Sequence, residues 1–529
     1  MKHLLCILAC STLLVGCATS RLPSSPDAHL RPAYHFTPPK QWMNDPNGLV
    51  YHQGEYHLFY QFYPDSNVWG PMHWGHAVSP DMVHWQHLPI ALYPDSLGYI
   101  FSGSAVVDWN NTSGFGKSGQ PPLVAMFTYF DIQKERAKRP DHQSQAIAYS
   151  TDRGRTWTKY ARNPVIPNPG SQRDFRDPKL LWHENSRKWV MTLAIGDHVE
   201  FWGSPDLKTW AQLSQFGGDL GAHGGVWECP DLFPMTVTAS GASAKPEIKW
   251  VLLVSINPGH PNSGSGTQYF VGDFDGRNFV PDPAFAAEVP AGRGMWLDWG
   301  RDNYAGVTWS DVPKADGRRL FLGWMSNWDY AQQVPTYAWR SANTLPRQLL
   351  LRKGKVGYRL SAMPVRELEA LRGKQQTWAP RLIDGSLDLN KSGIRPDRSE
   401  WSLEIGLGDS PKGEVGVELS NSSGEVYRIG YDATNKQYFS DRMRSGPLGF
   451  SEKFATQRHS APRFSAEKTL RLRLYFDACS AELFADDGEV CLTDLYFPKQ
   501  PYTRIRLFAE GISPRLVSAV AWPLSVLYK

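Results

Sequence analysis

From residue 34 to about 350 the chain is a succession of short aromatic and β-branched runs. Among them are EYHLFYQFY (55–63), KWVMTLAI (188–195), KWVLLVSI (249–256) and RRLFLGWM (318–325), each cut short by Gly, Pro, Asn or Asp. Runs of this length and composition form strands, and the breakers between them leave little room for helical periodicity. The region reads as all-β. A weak repeat runs through it: SPDMVHW (79–85), STDRGRTW (150–157), SPDLKTW (204–210) and, more loosely, GDFDGRNF (272–279). A polar turn recurring about every fifty to seventy residues is what a blade architecture produces, with each copy an outer hairpin turn.

A second series interleaves with the first: Asn44-Asp45-Pro46, Arg176-Asp177-Pro178, Glu228-Cys229-Pro230 and, less clearly, Leu297-Asp298-Trp299. Each acidic residue stands just ahead of an apolar run. Proline fixes φ and removes a backbone donor, so it suits the start of a strand. If those strands are the innermost of successive blades, their leading ends converge on one mouth of a central channel, and carboxylates distant in sequence face one cavity. A lone Asx-Pro is an ordinary turn. Three of them, each opening a strand in a chain with blade-like repeats, point to a site.

At 529 residues the chain is too long for one ordinary core. The charged stretch RELEALRGKQQTWA (366–379) makes a seam, with a short helix in it, and the strands beyond it read as a β-sandwich of ordinary domain size. At the other end, Lys2 precedes an apolar run from Leu4 to Val15, too short to span a bilayer and shaped like a secretory signal. Leu14-Val15-Gly16-Cys17 resembles a bacterial lipobox, which implies cleavage before Cys17, a lipid on that residue, and attachment to a membrane. The expected organisation is a signal peptide at 1–16, a flexible tether at 17–32, a propeller at 33–365, a linker at 366–379 and a β-sandwich at 380–529.

Composition excludes several partners. A formal net charge of +4, with 20% charged residues, gives no field suited to nucleic acid. Cys229, Cys479 and Cys491 are too few and too scattered for a disulfide framework, so free thiols are expected. With Asp487-Gly488 as a two-residue turn, Phe484 falls opposite Cys491 and Cys479 faces the other side of the sheet. WHENS (182–186) lacks the second histidine of a zinc helix, and His73 and His76 around Trp74-Gly75 are read as structural. No metal and no cofactor is expected. The 21 Trp, 22 Tyr and 24 Phe supply flat apolar faces, for packing sheets and for stacking on sugar rings.

Taken in order, WMNDPNG (42–48), QFYP (61–64), HWGHAVS (73–79), FSGSAV (101–106), FRDPK (175–179), WECPD (227–231), GWMSNW (323–328) and DACSAELFADDGEVCLTD (477–494) resemble glycoside hydrolase family 32, the enzymes related to invertases, inulinases and levanases. The resemblance implies a five-bladed β-propeller followed by a C-terminal β-sandwich, and hydrolysis of β-fructofuranosyl linkages with retention of configuration. By position it makes Asp45 the nucleophile, Glu228 the acid/base and Asp177 the stabiliser of the transition state. A retaining glycosidase needs two such carboxyl groups about 5–5.5 Å apart. The same match lines the fructose subsite with Asn44, Gln61, Trp69, Phe101, Ser102 and Arg176, and adds Trp324 or Trp328. Gly48 is expected to admit the sugar closely, and Cys229 to be a small buried residue shaping the pocket.

The segment FSGSAVVDWNNTSGFG (101–116) resembles the exo-inulinase and levanase branch, which favours exo action on fructans or fructo-oligosaccharides. An endo-levanase or an invertase-like sucrose hydrolase stands beside that reading, as does a fructan-binding surface lipoprotein without catalysis. The β-2,1 or β-2,6 preference stays open.

Overall fold

The computed structural model describes residues 27–117, 119–238, 247–354, 357–409 and 411–527. The signal segment, Cys17 and the first part of the expected tether lie outside the described residues.

Five antiparallel sheets are arranged around one axis, and each is a meander of four strands. Blade I runs outward through Gln41–His52, Glu55–Tyr63, His73–Ser79 and Gln86–Leu92, and blade II through Tyr99–Val107, Leu123–Phe130, Gln143–Ser150 and Thr158–Lys159. Blade III comprises Phe175–His183, Lys188–Ile195, His198–Ser204 and Ala211–Gly217, and blade IV Val226–Thr238, Ile248–Asn257, Gly266–Phe274 and Phe279–Pro281. Blade V is built from Tyr304–Thr308, Arg319–Met325, Arg347–Gly354 and Gly357–Pro364. The first strand of each blade touches the first strands of the two neighbouring blades, which closes the ring. Closure is reinforced at the seam, where Gln41 and Trp42 pair in parallel with Trp339 and Arg340.

The repeated motif is the turn between the third and fourth strands. In blade I Asp81 Oδ1 accepts from the amides of Val83 and His84, and in blade III Asp206 Oδ1 accepts from Lys208 and Thr209. Asp275 repeats the arrangement in blade IV with Arg277 and Asn278. In three blades the tryptophan that ends the motif folds back onto the turn: Trp85 Nε1 donates to Met82 O, Trp157 to Gly154 O and Trp210 to Leu207 O. The spacing in the sequence is thus an Asx turn with its aromatic lid.

The C-terminal unit is a sandwich of a seven-stranded and a six-stranded sheet. It closes around its own core, which includes Trp401, Val417, Tyr427, Phe476 and Leu507.

The two units share one interface. Tyr475, Phe484 and Cys491 of the sandwich pack into the propeller's core cluster. Buried charges cross the same boundary: Arg347, paired within the propeller to Asp298 at 2.8 Å, reaches Glu482 at 2.6 Å, Arg442 reaches Asp302 at 2.7 Å, and His35 lies between Asp477 at 2.7 Å and Glu482 at 2.9 Å. Cys229, Cys479 and Cys491 are free and buried, and Phe484 pairs with Cys491 as the strand alternation requires. The hairpin reaches that register through a four-residue connection, Asp486 to Glu489, and not a two-residue turn.

Two expected boundaries shift. The end of the tether is docked: Leu30 is buried, and Asp27 Oδ2 accepts from the amide of Tyr337 at 2.6 Å. The end of the linker is a strand, Gln376–Trp378, paired with Arg515–Pro523 of the sandwich.

Candidate active site

Every blade carries an irregularity at the same place on its innermost strand. Ladder pairing slips between Met43 and Pro46, Ile100 and Gly103, Arg176 and Lys179, Glu228 and Asp231, and Tyr304 and Val307. A bulge leaves residues unpaired and re-aims their side chains. In blades III and IV the slip contains a proline and in blade I it ends on one, a residue with no amide to lose from the ladder. Asp177 (φ +65°), Cys229 (φ +45°) and Ala305 (φ +52°) take the left-handed conformation within their bulges, at a cost of about 1–2 kcal/mol each.

The bulges gather Asp45, Asp177 and Glu228 on the floor of one cleft of about 260 Å³. Asp45 accepts from Ser102 Oγ at 2.6 Å and from Asn44 Nδ2 at 3.0 Å, and Asn44 is held in turn by Trp42 Nε1 at 2.7 Å. Asn47 serves the backbone instead: its amide donates to Asp45 O, and its oxygen accepts from Gly103 N in blade II. Arg176 donates to Glu228 Oε1 at 2.8 and 3.2 Å and to Asp174 Oδ1 at 2.5 Å, and its Nε stands 3.9 Å from Asp177 Oδ2. Cys229 separates two of the acids, with Sγ 3.7 Å from Asp45 Oδ2 and 3.6 Å from Asp177 Oδ2, while its amide donates to Asp177.

Burial is the largest influence on Asp177 and pushes it up. Arg176 opposes, Glu228 and Asp45 push further, and the carboxyl reaches about 7. Asp45 is raised as well, by burial first, with the Ser102 hydrogen bond pulling down and Glu228 pushing up. Burial and mutual repulsion thus both disfavour the charged forms of Asp45 and Asp177. Burial and the three acids push the Cys229 thiol well above its ordinary value, so it stays neutral and is no nucleophile.

Gln61, Trp69, Phe101 and Trp328 complete the cleft. Phe101 stacks on Phe130 with centroids 4.3 Å apart, and Trp69 meets both rings edge-on, which makes an aromatic wall. Trp324 is a correction. It is fully buried against Trp42, Tyr304 and Trp328 and, unlike Trp328, does not line the cleft. Gly48 is another: its φ is +55° and a Cβ there would lie 2.6 Å from the Phe59 ring, so the core and not the ligand demands glycine. Asp298, the loosest member of the acidic series, sits at the interface with the sandwich, bonded to Thr493 and Arg347. Blade V contributes Tyr304 instead, whose hydroxyl donates to Glu228 Oε2. His76 stacks on Phe59 at 4.1 Å while His73 bonds Pro71 O, so the two share no site.

Glu135, His142, Gln143, Arg173 and Asp174 also border the cleft and were missed in the sequence. Glu135 and Arg173 form an ion pair of 2.7 Å at the rim. The signal that could have found them is topological. In a blade whose first strand starts at the site, the connection from the second strand to the third returns to the same mouth, and Trp69, Glu135, His142 and Trp328 all lie on such connections.

Known proteins are similar to this chain in sequence and fold. The model for the glycosyl hydrolases family 32 N-terminal domain matches residues 35–364, and that for the family 32 C-terminal domain matches 367–523. The chain belongs to glycosyl hydrolase family 32. A relative named levanase, from Bacillus subtilis, is 46% identical over the whole chain and 76% of its own length. An extracellular exo-inulinase from Aspergillus awamori is 39% identical over 92% of this chain and 93% of its own. The crystal structure of exo-inulinase from that organism superposes with a TM-score of 0.85 at 37% identity, covering 94% of this chain and 99% of the other.

Proposed function

We propose that this protein is an exported, exo-acting fructan hydrolase that releases fructose by double displacement. The observation that carries the reading is the convergence of Asp45, Asp177 and Glu228 in one small aromatic-walled cleft. Asp45, oriented by Asn44 and Ser102, attacks the anomeric carbon. Glu228, held between Arg176 and Tyr304, delivers a proton to the departing oxygen and later takes one from the attacking water. Asp177 accepts hydrogen bonds from fructose hydroxyls, which strengthen as the ring flattens toward an oxocarbenium ion. The levanase and exo-inulinase relatives support fructan as substrate, and the cleft's size favours a single terminal unit.

The test is a timed product analysis on levan, inulin and sucrose. Free fructose alone at early times supports exo action, whereas oligosaccharides appearing first overturn it. We further propose that a lipid on Cys17 holds the enzyme at a membrane. Cys17→Ser is expected to move the protein from the membrane fraction to the soluble one, and unchanged partitioning contradicts the anchor.

A further inference from the structure

The inner strands that begin at the active site end at a second cavity. Tyr99–Val107 runs from Phe101 and Ser102 to Val106 and Val107, Phe175–His183 from Asp177 to His183, and Val226–Thr238 from Glu228 to Pro234. Tyr304–Thr308 leads from the Glu228 partner to Thr308 and on to Asp311. The distance from Glu228 to Pro234 is about 20 Å at strand rise, so this cavity opens at the opposite mouth of the propeller. Its volume is about 750 Å³ against about 260 Å³ for the active site.

Its lining carries the chemistry of sugar recognition. Trp109 is 61% exposed at the rim, fixed by a bond from its Nε1 to Asp311 at 2.8 Å, and Trp182 and Trp250 are half-buried beside it. The Arg319 guanidinium stacks on Phe233 at 4.8 Å, feels the charge of Asp231, and makes no hydrogen bond or ion pair among the described residues. Asp231 is 1% exposed, and its Oδ1 has no partner although Oδ2 accepts from Thr308 N and Oγ1. An indole face covers the C–H face of a pyranose or furanose, a guanidinium donates to adjacent hydroxyls, and a carboxylate accepts from them. Lys179, Lys314 and Arg319 are balanced by Glu184, Asp231 and Asp311, which suits a ligand without net charge.

We propose that this cavity is a second binding site for a neutral oligosaccharide, a stretch of fructan chain. That the chain is fructan rests on the function proposed above; the recognition chemistry does not. A polymer held at this mouth raises the local concentration of its own ends at the other. Trp109→Ala and Arg319→Met, made separately in the full chain, are expected to raise KM on polymeric levan or inulin roughly three- to tenfold. Both should leave kcat/KM on a fructosyl trisaccharide unchanged. Calorimetry on a Glu228→Ala background with a long fructo-oligosaccharide should show two binding events, and one after Trp109→Ala is added. Unchanged polymer KM in both variants with a single binding event overturns the proposal, as does a cavity that takes sulfate and no oligosaccharide. Loss of trisaccharide turnover in the parent enzyme would instead count against the function itself.

Discussion

Glu228→Ala separates the proposed acid from the proposed nucleophile. With no proton donor, kcat on natural fructans is expected to fall about 10²–10⁴-fold, while aryl fructosides with good leaving groups keep much of their fructosylation rate and added azide restores turnover. Steady-state kinetics on both substrate classes check this. The carboxyl at 228 was legible in the sequence as a member of the acidic series with Asp45 and Asp177, while its proposed role as acid came only from the resemblance. Tyr304 was not, since nothing local to an aromatic residue in a strand says that its hydroxyl meets a carboxylate from the next blade. Trp324 and Trp328 show the same limit: four residues apart with one side chain type, they differ only in what the fold lays over them.

At the scale of the element, the bulge does the positioning. Gly48 follows the slip that aims Asp45, and alanine there would adopt an unfavourable φ while its Cβ drives into Phe59 and Trp74. Gly48→Ala is expected to lower stability by about 1–3 kcal/mol and to reduce kcat more than KM, measured by denaturant unfolding and initial rates. The repeat of Asx turns was readable as a repeat because each copy solves the same local problem. The bulges were readable only through their prolines, so blades II and V, which have none at the slip, gave no sign of the alignment of Ser102, named only by the resemblance, or of Tyr304, named by nothing.

Across the whole molecule, propeller and sandwich are joined by buried charge as well as apolar surface, and this reads out in pH. Burial alone would lower His35, but hydrogen bonds and attraction from Asp477 and Glu482 outweigh it and raise the imidazole from 6.5 to about 9. A histidine raised on folding stabilises fully below its unfolded value, and that stabilisation is lost as pH rises through about 9. The melting temperature is therefore expected to fall between pH 6.5 and 9, and His35→Gln to be less stable at pH 6 with a flatter profile over that window. Thermal melts across the range check it. Such pairing across more than four hundred residues leaves no trace in either segment, which is why the seam between domains was legible and their bonding was not.

The central claim is that Asp45 bonds covalently to the fructosyl unit and that Glu228 governs its release. In Glu228→Ala supplied with an activated aryl fructoside, the intermediate forms and drains slowly. Rapid acid quench followed by peptide mass mapping should find one fructosyl unit on the peptide bearing Asp45. Turnover of the same substrate with the label on another residue, or with none on any, contradicts the account.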